Sequence, residues 1–137
     1  MSHTKAARKC EFTCIICPVG CSLSVKEDHG GEKITVSGNE CPRGEKYALS
    51  EYINPVRLLT TTLRINHGGK TVLLPVKTDA PIRKGIILAA MEEIKRYKTE
   101  RIVLSAPVTM GDVVVRGLDV GGDGINLVAC TDMGDTT

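Results

Sequence analysis

The sequence predicts an α+β protein, with an N-terminal cysteine-rich, metal-binding β-hairpin unit followed by a small α+β unit built around one long helix. Three observations lead there. Cys10, Cys14, Cys17, Cys21 and Cys41, five of the six cysteines, fall in the first third of the 137 residues. The turns His29-Gly30-Gly31 and His67-Gly68-Gly69 each separate short runs in which apolar and polar residues alternate, the period of a half-buried strand. From Pro81 to Tyr97, by contrast, Ile82, Ile86, Leu88, Ala89, Ala90 and Ile94 recur at helical spacing, and Pro81 suits a first helical turn.

Taken in order, Leu23 and Val25 alternate with polar residues, as do Ile34 and Val36. Pairing Val25 with Ile34 and Leu23 with Val36 makes His29-Gly30 a two-residue loop, turns all four apolar side chains to one face and sets Cys21 opposite Gly38. Cys41 then follows three residues later, so the spacer between Cys21 and Cys41 is folded and returns the chain to its start. Gly44 to Tyr52 reads as a short helix that stops before Asn54-Pro55, because a residue preceding proline is pushed out of the helical region. Leu58 to Ile65 and Thr71 to Lys77 read as strands. Residues 66–70 are the expected boundary between a domain 1–66 and a partner-docking domain 67–137. Gly69-Lys70-Thr71 resembles the end of a phosphate-binding loop, but that motif requires glycine where this chain has Arg64. In the long helix Arg83 and Lys84 occupy the first turn, where positive charge opposes the helix dipole. Ile102 to Leu104, Val113 to Val115 and Ile125 to Ala129 complete the strands, with a hairpin turn at Gly121-Gly122-Asp123-Gly124. His29 and His67 neighbour turn glycines and are expected to face solvent, while His3 lies in a terminal tail.

Composition narrows the function. The net charge of +2 is spread as nine basic against seven acidic residues up to position 66 and nine against nine beyond it, and the aromatics are one Phe, three Tyr and no Trp. Neither a polyanion-binding surface nor base stacking follows, so no nucleic-acid partner is expected. No apolar run reaches the roughly eighteen residues that a bilayer span requires, and the basic start lacks the apolar stretch of a signal peptide. The expected location is cytoplasmic. In a reducing compartment cysteines serve metal ligation or thiol chemistry rather than a disulfide framework.

Cys14, Cys17 and Cys21 have spacings of two and three, with Pro18 and Gly20 between, and Cys41 arrives from the far side of the hairpin. Three thiolates from one tight loop and one from a distant segment suit a 4Fe-4S cluster. The same four could hold structural zinc, although zinc more often takes two CxxC pairs, and Cys41 is followed by Pro42, Arg43 and Gly44. A third reading makes Cys14 and Cys17 an exchange pair, leaving Cys21 and Cys41 unexplained. Arg43 and Lys46 would offset the negative charge of a thiolate-ligated cluster. Cys130, in the run Leu127-Val128-Ala129-Cys130, is expected to be buried and inert. No acid–base pair, nucleophile–base pair or nucleotide loop stands out, so no catalytic residue is assigned.

Cys10, Cys14 and Cys17 also form a CxxxCxxC spacing that resembles the motif of radical S-adenosylmethionine enzymes, but two hairpins and one long helix do not resemble their barrel. Cys10 is therefore expected to be a spare thiol or a substitute ligand. Cys14-x2-Cys17-x3-Cys21, Cys41-Pro42-Arg43-Gly44 and Asn54-Pro55-Val56-Arg57-Leu58 with Leu63-Arg64 resemble, over residues 12–65, the N-terminal iron–sulfur segment of the molybdopterin oxidoreductases. That resemblance implies a 4Fe-4S cluster on Cys14, Cys17, Cys21 and Cys41, with the basic residue matching Arg43 between cluster and pterin; no molybdenum site is carried over. Over its whole length the chain is similar to an uncharacterised family of small bacterial CxxC-motif-containing proteins, through Thr13-Cys14-Ile15-Ile16-Cys17-Pro18-Val19-Gly20-Cys21, Leu74-Pro75-Val76-Lys77-Thr78 and Ala106-Pro107-Val108 with Gly111-Asp112-Val113. This likeness implies a companion of flavoproteins akin to glycerol-3-phosphate dehydrogenase and to pyridine-nucleotide-dependent oxidoreductases. The expected function is an iron–sulfur electron-transfer protein or subunit relaying single electrons to or from an FAD-dependent partner. The alternative is a zinc-stabilised structural or interaction module without redox activity.

Overall fold

Cys10 and Phe12 alternate with charged residues, and in the computed structural model, which describes residues 7–99, 102–104, 107–120 and 123–134, they lie on a strand that the sequence reading passed over, β1 (Arg8–Thr13). His3, Ala106 and the turn glycines Gly121 and Gly122 fall outside the described residues. β1 pairs antiparallel with β2 (Ser22–Glu27), Cys10 opposite Val25 and Phe12 opposite Leu23, and β2 pairs with β3 (Ile34–Ser37) to give the order β1-β2-β3. The register of β2 with β3 differs by two residues from the expected one: Val25 faces Val36 and Glu27 faces Ile34. Asp28 is the cause. Its carboxylate accepts the N–H groups of Glu32 and Lys33 at 3.1 and 3.3 Å, and its own N–H donates to the Lys33 carbonyl at 3.1 Å. A wide loop thus replaces the two-residue turn at His29-Gly30. Those amides also hold the Asp28 carboxyl below its ordinary pKa, the Lys33 N–H most of all, against a smaller opposing effect of desolvation. Because a two-residue shift preserves side-chain parity, the same apolar face still turns inward.

Helix α1 (Pro42–Ile53) begins with proline in its first turn and ends at Asn54, ahead of Pro55. It packs on β2 and β3, enclosing a small core of Cys14, Leu23, Val25 and Ala48 flanked by Phe12, Cys21, Ile34, Val36, Tyr47 and Tyr52.

Residues 1–55 form one unit and residues 56–137 another. The expected boundary at 66–70 falls instead on a hairpin turn inside the second unit. There β5 (Thr60–His67) and β6 (Lys70–Thr78) pair with Leu63 opposite Leu74 and His67 opposite Lys70. Gly68 and Gly69 make the connection at φ +57° and +78°, the left-handed pair that a two-residue hairpin turn requires. Before β5 lies β4 (Val56–Arg57), which pairs with β7 (Ile82–Arg83); a single 3-10 turn, Lys84–Ile86, then leads into α2 (Ile87–Thr99).

The long helix therefore starts five residues later than Ile82, which is a buried strand residue, and Arg83 and Lys84 precede the helix rather than occupying its first turn. The inward stripe is Ile87, Ala90, Met91, Ile94 and Tyr97, at helical spacing. Leu88, expected in the core, is 81% exposed. β8 (Ile102–Leu104), β9 (Val113–Val120) and β10 (Asp123–Ala129) complete a five-stranded sheet of order β8-β5-β6-β10-β9, antiparallel except for the parallel pair β5–β8. Leu63, Ile65, Leu74, Val76, Leu118 and Leu127 of the sheet and Ile94 of α2 are the largest fully buried apolar side chains of the second unit, each stabilising the fold by roughly 1.5–3 kcal/mol relative to exposure. Where the β9–β10 ladder shifts register, the Asn126 side chain accepts the Gly117 N–H at 3.1 Å and donates to the Asp79 carboxylate at 2.8 Å. His67, expected to face solvent, is 3% exposed, because β5 runs one alternation beyond Ile65; its Nε2 lies 3.0 Å from the Gly134 carbonyl oxygen. His29 is exposed. Both units combine helix and sheet, so the fold is α+β. Among the described residues no helix is long and apolar enough to cross a membrane.

Candidate metal centre

β1 and β2 bring the backbones of Cys14 and Cys21 together. Thr13 pairs with Ser22, and one step further the Cys14 N–H donates to the Cys21 carbonyl at 2.8 Å, closing the hairpin at these two cysteines. Because side chains on a strand alternate, Cys14 shares a face with Phe12, and Cys21 with Leu23, the face that packs against α1. Cys14 is buried and Cys21 half-buried in that cluster. Cys17, also half-buried, lies in the loop between them, flanked by the exposed side chains of Ile15, Ile16 and Val19.

Cys41 reaches the same end of the sheet by a close backbone approach. At Gly38 the chain runs at φ +89°, and a Cβ there would lie 2.1 Å from the Ser22 carbonyl oxygen. Only glycine fits such a contact. Three residues later Cys41 caps the N-terminus of α1 in an extended conformation, and the Asn39 side-chain amide donates to its carbonyl at 3.2 Å. Within the first turn of α1, a Cβ at the buried Gly44 would touch Leu23 Cδ2 at 3.6 Å. The Cys41 thiol makes no formed cap hydrogen bond. The backbone N–H of Gly44 and then that of Arg43 nevertheless favour its thiolate, burial opposes, and the Arg43 guanidinium adds to the amide effect, so its pKa lies below the ordinary thiol value.

The fold thus brings the segments bearing Cys14, Cys17, Cys21 and Cys41 to one end of the three-stranded sheet. It does not set their sulfurs as a finished ligand set: among the described residues no group of three or more His, Cys, Asp or Glu side chains stands ready to hold a metal ion. Four thiols are nonetheless the donor chemistry that an iron–sulfur cluster or zinc takes. Arg43 and Lys46 are both exposed.

Cys10 sits elsewhere. Four residues of extended chain, about 13 Å, separate it from Cys14, and it faces Val25 in mid-strand. It lines a groove of about 670 Å³ with Phe12, Ile34 and Tyr52 among its walls. In the same groove the Tyr52 hydroxyl donates to the Glu27 carboxylate, and this bond, with burial and the Glu27 charge, holds the Tyr52 pKa above its usual value. No sequence signal pointed to that pair, because its members lie 25 positions apart on different elements. Cys130, expected to be buried, is half-buried just beyond β10, where its N–H donates to the Pro75 carbonyl at 2.9 Å.

The fold and the site define a small α+β protein whose N-terminal unit carries four cysteines in a three-plus-one arrangement. Residues 42–131 match the family described as Protein of unknown function (DUF1667), and the chain belongs to that family. The matched stretch opens at the first residue of α1, immediately after Cys41, and so contains Cys130 but none of the five N-terminal cysteines. No curated protein and no solved structure matches the chain.

Proposed function

We propose that this protein is an iron–sulfur electron carrier, with one 4Fe-4S cluster held by Cys14, Cys17, Cys21 and Cys41, relaying single electrons between a flavoprotein partner and an acceptor in a reducing, cytoplasmic compartment. The observation that carries this reading is the close approach of Gly38 to Ser22, which returns Cys41 to the hairpin end bearing the other three thiols. When bound, a 4Fe-4S cluster takes up and releases one electron at a time. The residues around it supply its surroundings: Cys14 and Cys21 lie against the apolar cluster of Leu23 and Ala48, which limits water, while the helix amides at Arg43 and Gly44 and the Arg43 guanidinium favour the Cys41 thiolate. Ile15, Ile16 and Val19 give the cysteine loop an apolar outer surface. In this reading the partner is an FAD-dependent dehydrogenase akin to glycerol-3-phosphate dehydrogenase, or a pyridine-nucleotide-dependent flavoprotein, and residues 56–137 provide its docking surface.

The test is metal and acid-labile sulfide analysis, with absorption and EPR spectra, on protein purified without oxygen. About four irons and four sulfides per chain are expected, with a cluster signal on reduction that is lost in Cys17→Ala. About one zinc and no sulfide in the same material would replace this reading with that of a zinc-stabilised interaction module.

A further inference from the structure

We propose that Cys14 and Cys21 form a reversible cross-strand disulfide, a thiol modification site at the closed end of the β1–β2 hairpin. The two residues stand opposite each other one step beyond the last ladder pair, Thr13–Ser22, where the Cys14 N–H donates to the Cys21 carbonyl at 2.8 Å. Residues opposed at a hydrogen-bonded position stand about 5.5 Å apart at Cα, inside the roughly 4.4–6.8 Å that a disulfide bridges; their Cβ atoms, about 5 Å apart, must close by about 1 Å, a strain that makes such a bond readily reducible. Both side chains leave the same face of the sheet and enter the same apolar cluster. The other cysteines have no such partner by position. Cys10 opposes Val25, Cys17 lies within the loop, Cys41 caps α1, and Cys130 belongs to the second unit.

The difference in burial orders the chemistry. Cys21 is half-buried and meets an oxidant first; Cys14 is 4% exposed and resolves the intermediate. With a small organic disulfide such as oxidised glutathione, the Cys21 thiolate attacks one sulfur, breaks the S–S bond and releases one glutathione thiolate, leaving a mixed disulfide. Cys14, having given its proton to solvent, then attacks Cys21 Sγ and expels the second glutathione thiolate. One S–S bond is broken and one formed in the protein, two electrons pass from protein to glutathione, and the two thiol protons end on two glutathione thiols. Sulfurs joined in this way cannot also ligate a metal, so the disulfide and an occupied metal centre exclude one another.

The experiment uses the full chain, reduced, stripped of metal with a chelator, and then exposed to oxidised glutathione. Free thiols are blocked with N-ethylmaleimide, the protein is reduced, and the released thiols are labelled with iodoacetamide and located by tandem mass spectrometry. The expected result is iodoacetamide on Cys14 and Cys21 together and maleimide on the other four cysteines. The pattern should persist in Cys17→Ser and Cys41→Ser and vanish in Cys14→Ser. Iodoacetamide shared with Cys17, or spread over all six cysteines, or absent altogether, overturns the proposal. The inference does not rest on the metal reading. A chain that takes up neither iron nor zinc yet joins Cys14 to Cys21 keeps the disulfide and loses the carrier; one that binds a cluster but pairs other cysteines does the reverse.

Discussion

Replacing Gly38 by Ala tests the contact on which the candidate centre depends. At φ +89° an L-residue is disfavoured by about 1–2 kcal/mol. The added methyl would also start 2.1 Å from the Ser22 carbonyl oxygen and 3.2 Å from its carbonyl carbon. Backbone must therefore move, and overpacking of this kind costs a further 1–3 kcal/mol or so. A unit of residues 1–55 has a total stability of only about 3–8 kcal/mol at the usual 0.05–0.15 per residue. Gly38→Ala should accordingly remove roughly half of it. Gly69 provides the internal control: its φ is +78°, but a Cβ there meets nothing within 4 Å, so Gly69→Ala should cost the second unit only the conformational part, about 1–2 kcal/mol. Urea unfolding followed by NMR, reading Val25 for the first unit and Leu63 for the second, separates the two. Equal losses in the two variants would refute the close approach and, with it, the return of Cys41 to the hairpin end.

Three further outcomes are expected. In the metal-free protein Cys41 should react with iodoacetamide at neutral pH faster than a free cysteine peptide, losing that reactivity as pH falls through its lowered pKa; Arg43→Gln should move the midpoint upward, and an unmoved midpoint would remove the guanidinium from the account. Tyr52 should form its tyrosinate above the usual tyrosine range, and that component of an alkaline absorbance titration should disappear in Tyr52→Phe and move down in Glu27→Gln. On α2, Leu88→Gln should change stability by no more than about 0.5 kcal/mol, whereas Ile94→Ala should cost about 2–5 kcal/mol; the opposite ranking would mean the helix is rotated.

Period-two alternation made Leu23, Val25, Leu63, Ile65, Leu74 and Val76 legible as strand residues with one buried face, and Asn54-Pro55 bounded the end of α1, whose start lies two residues before the expected Gly44. Where the reading departed from the structure, the deciding contact was remote or the element too short to show a period. Two-residue strands such as β7 have no periodicity, so Ile82 was absorbed into the following helix, and that false start drew Leu88 into the expected core. The register of β3 was set by the Asp28 carboxylate collecting amides four and five residues away. For the candidate site, the spacing of Cys14, Cys17, Cys21 and Cys41 was readable. The opposition of Cys14 to Cys21 was not, since the alternation of Cys10 and Phe12 with polar residues is too short to mark β1 without the partner strand it pairs with.

The strand order of the second unit also sets a schedule for its assembly. The hairpin of β5 and β6 is local and closes on the microsecond scale, yet neither of its edges is finished when it forms. The outer side of β5 waits for β8, some forty positions along the chain, and the outer side of β6 waits for β10, near its end. Loop-closure entropy delays both pairings. On a nascent chain emerging from the ribosome, a twin-edged ribbon would therefore stand with unpaired amides and carbonyls on both flanks, a template for foreign strands. Both guards make three pairings with the ribbon, but β10 is backed by β9 whereas the three-residue β8 is itself the edge of the sheet, so β8 is the weaker of the two, and its release would reopen that flank in the mature protein.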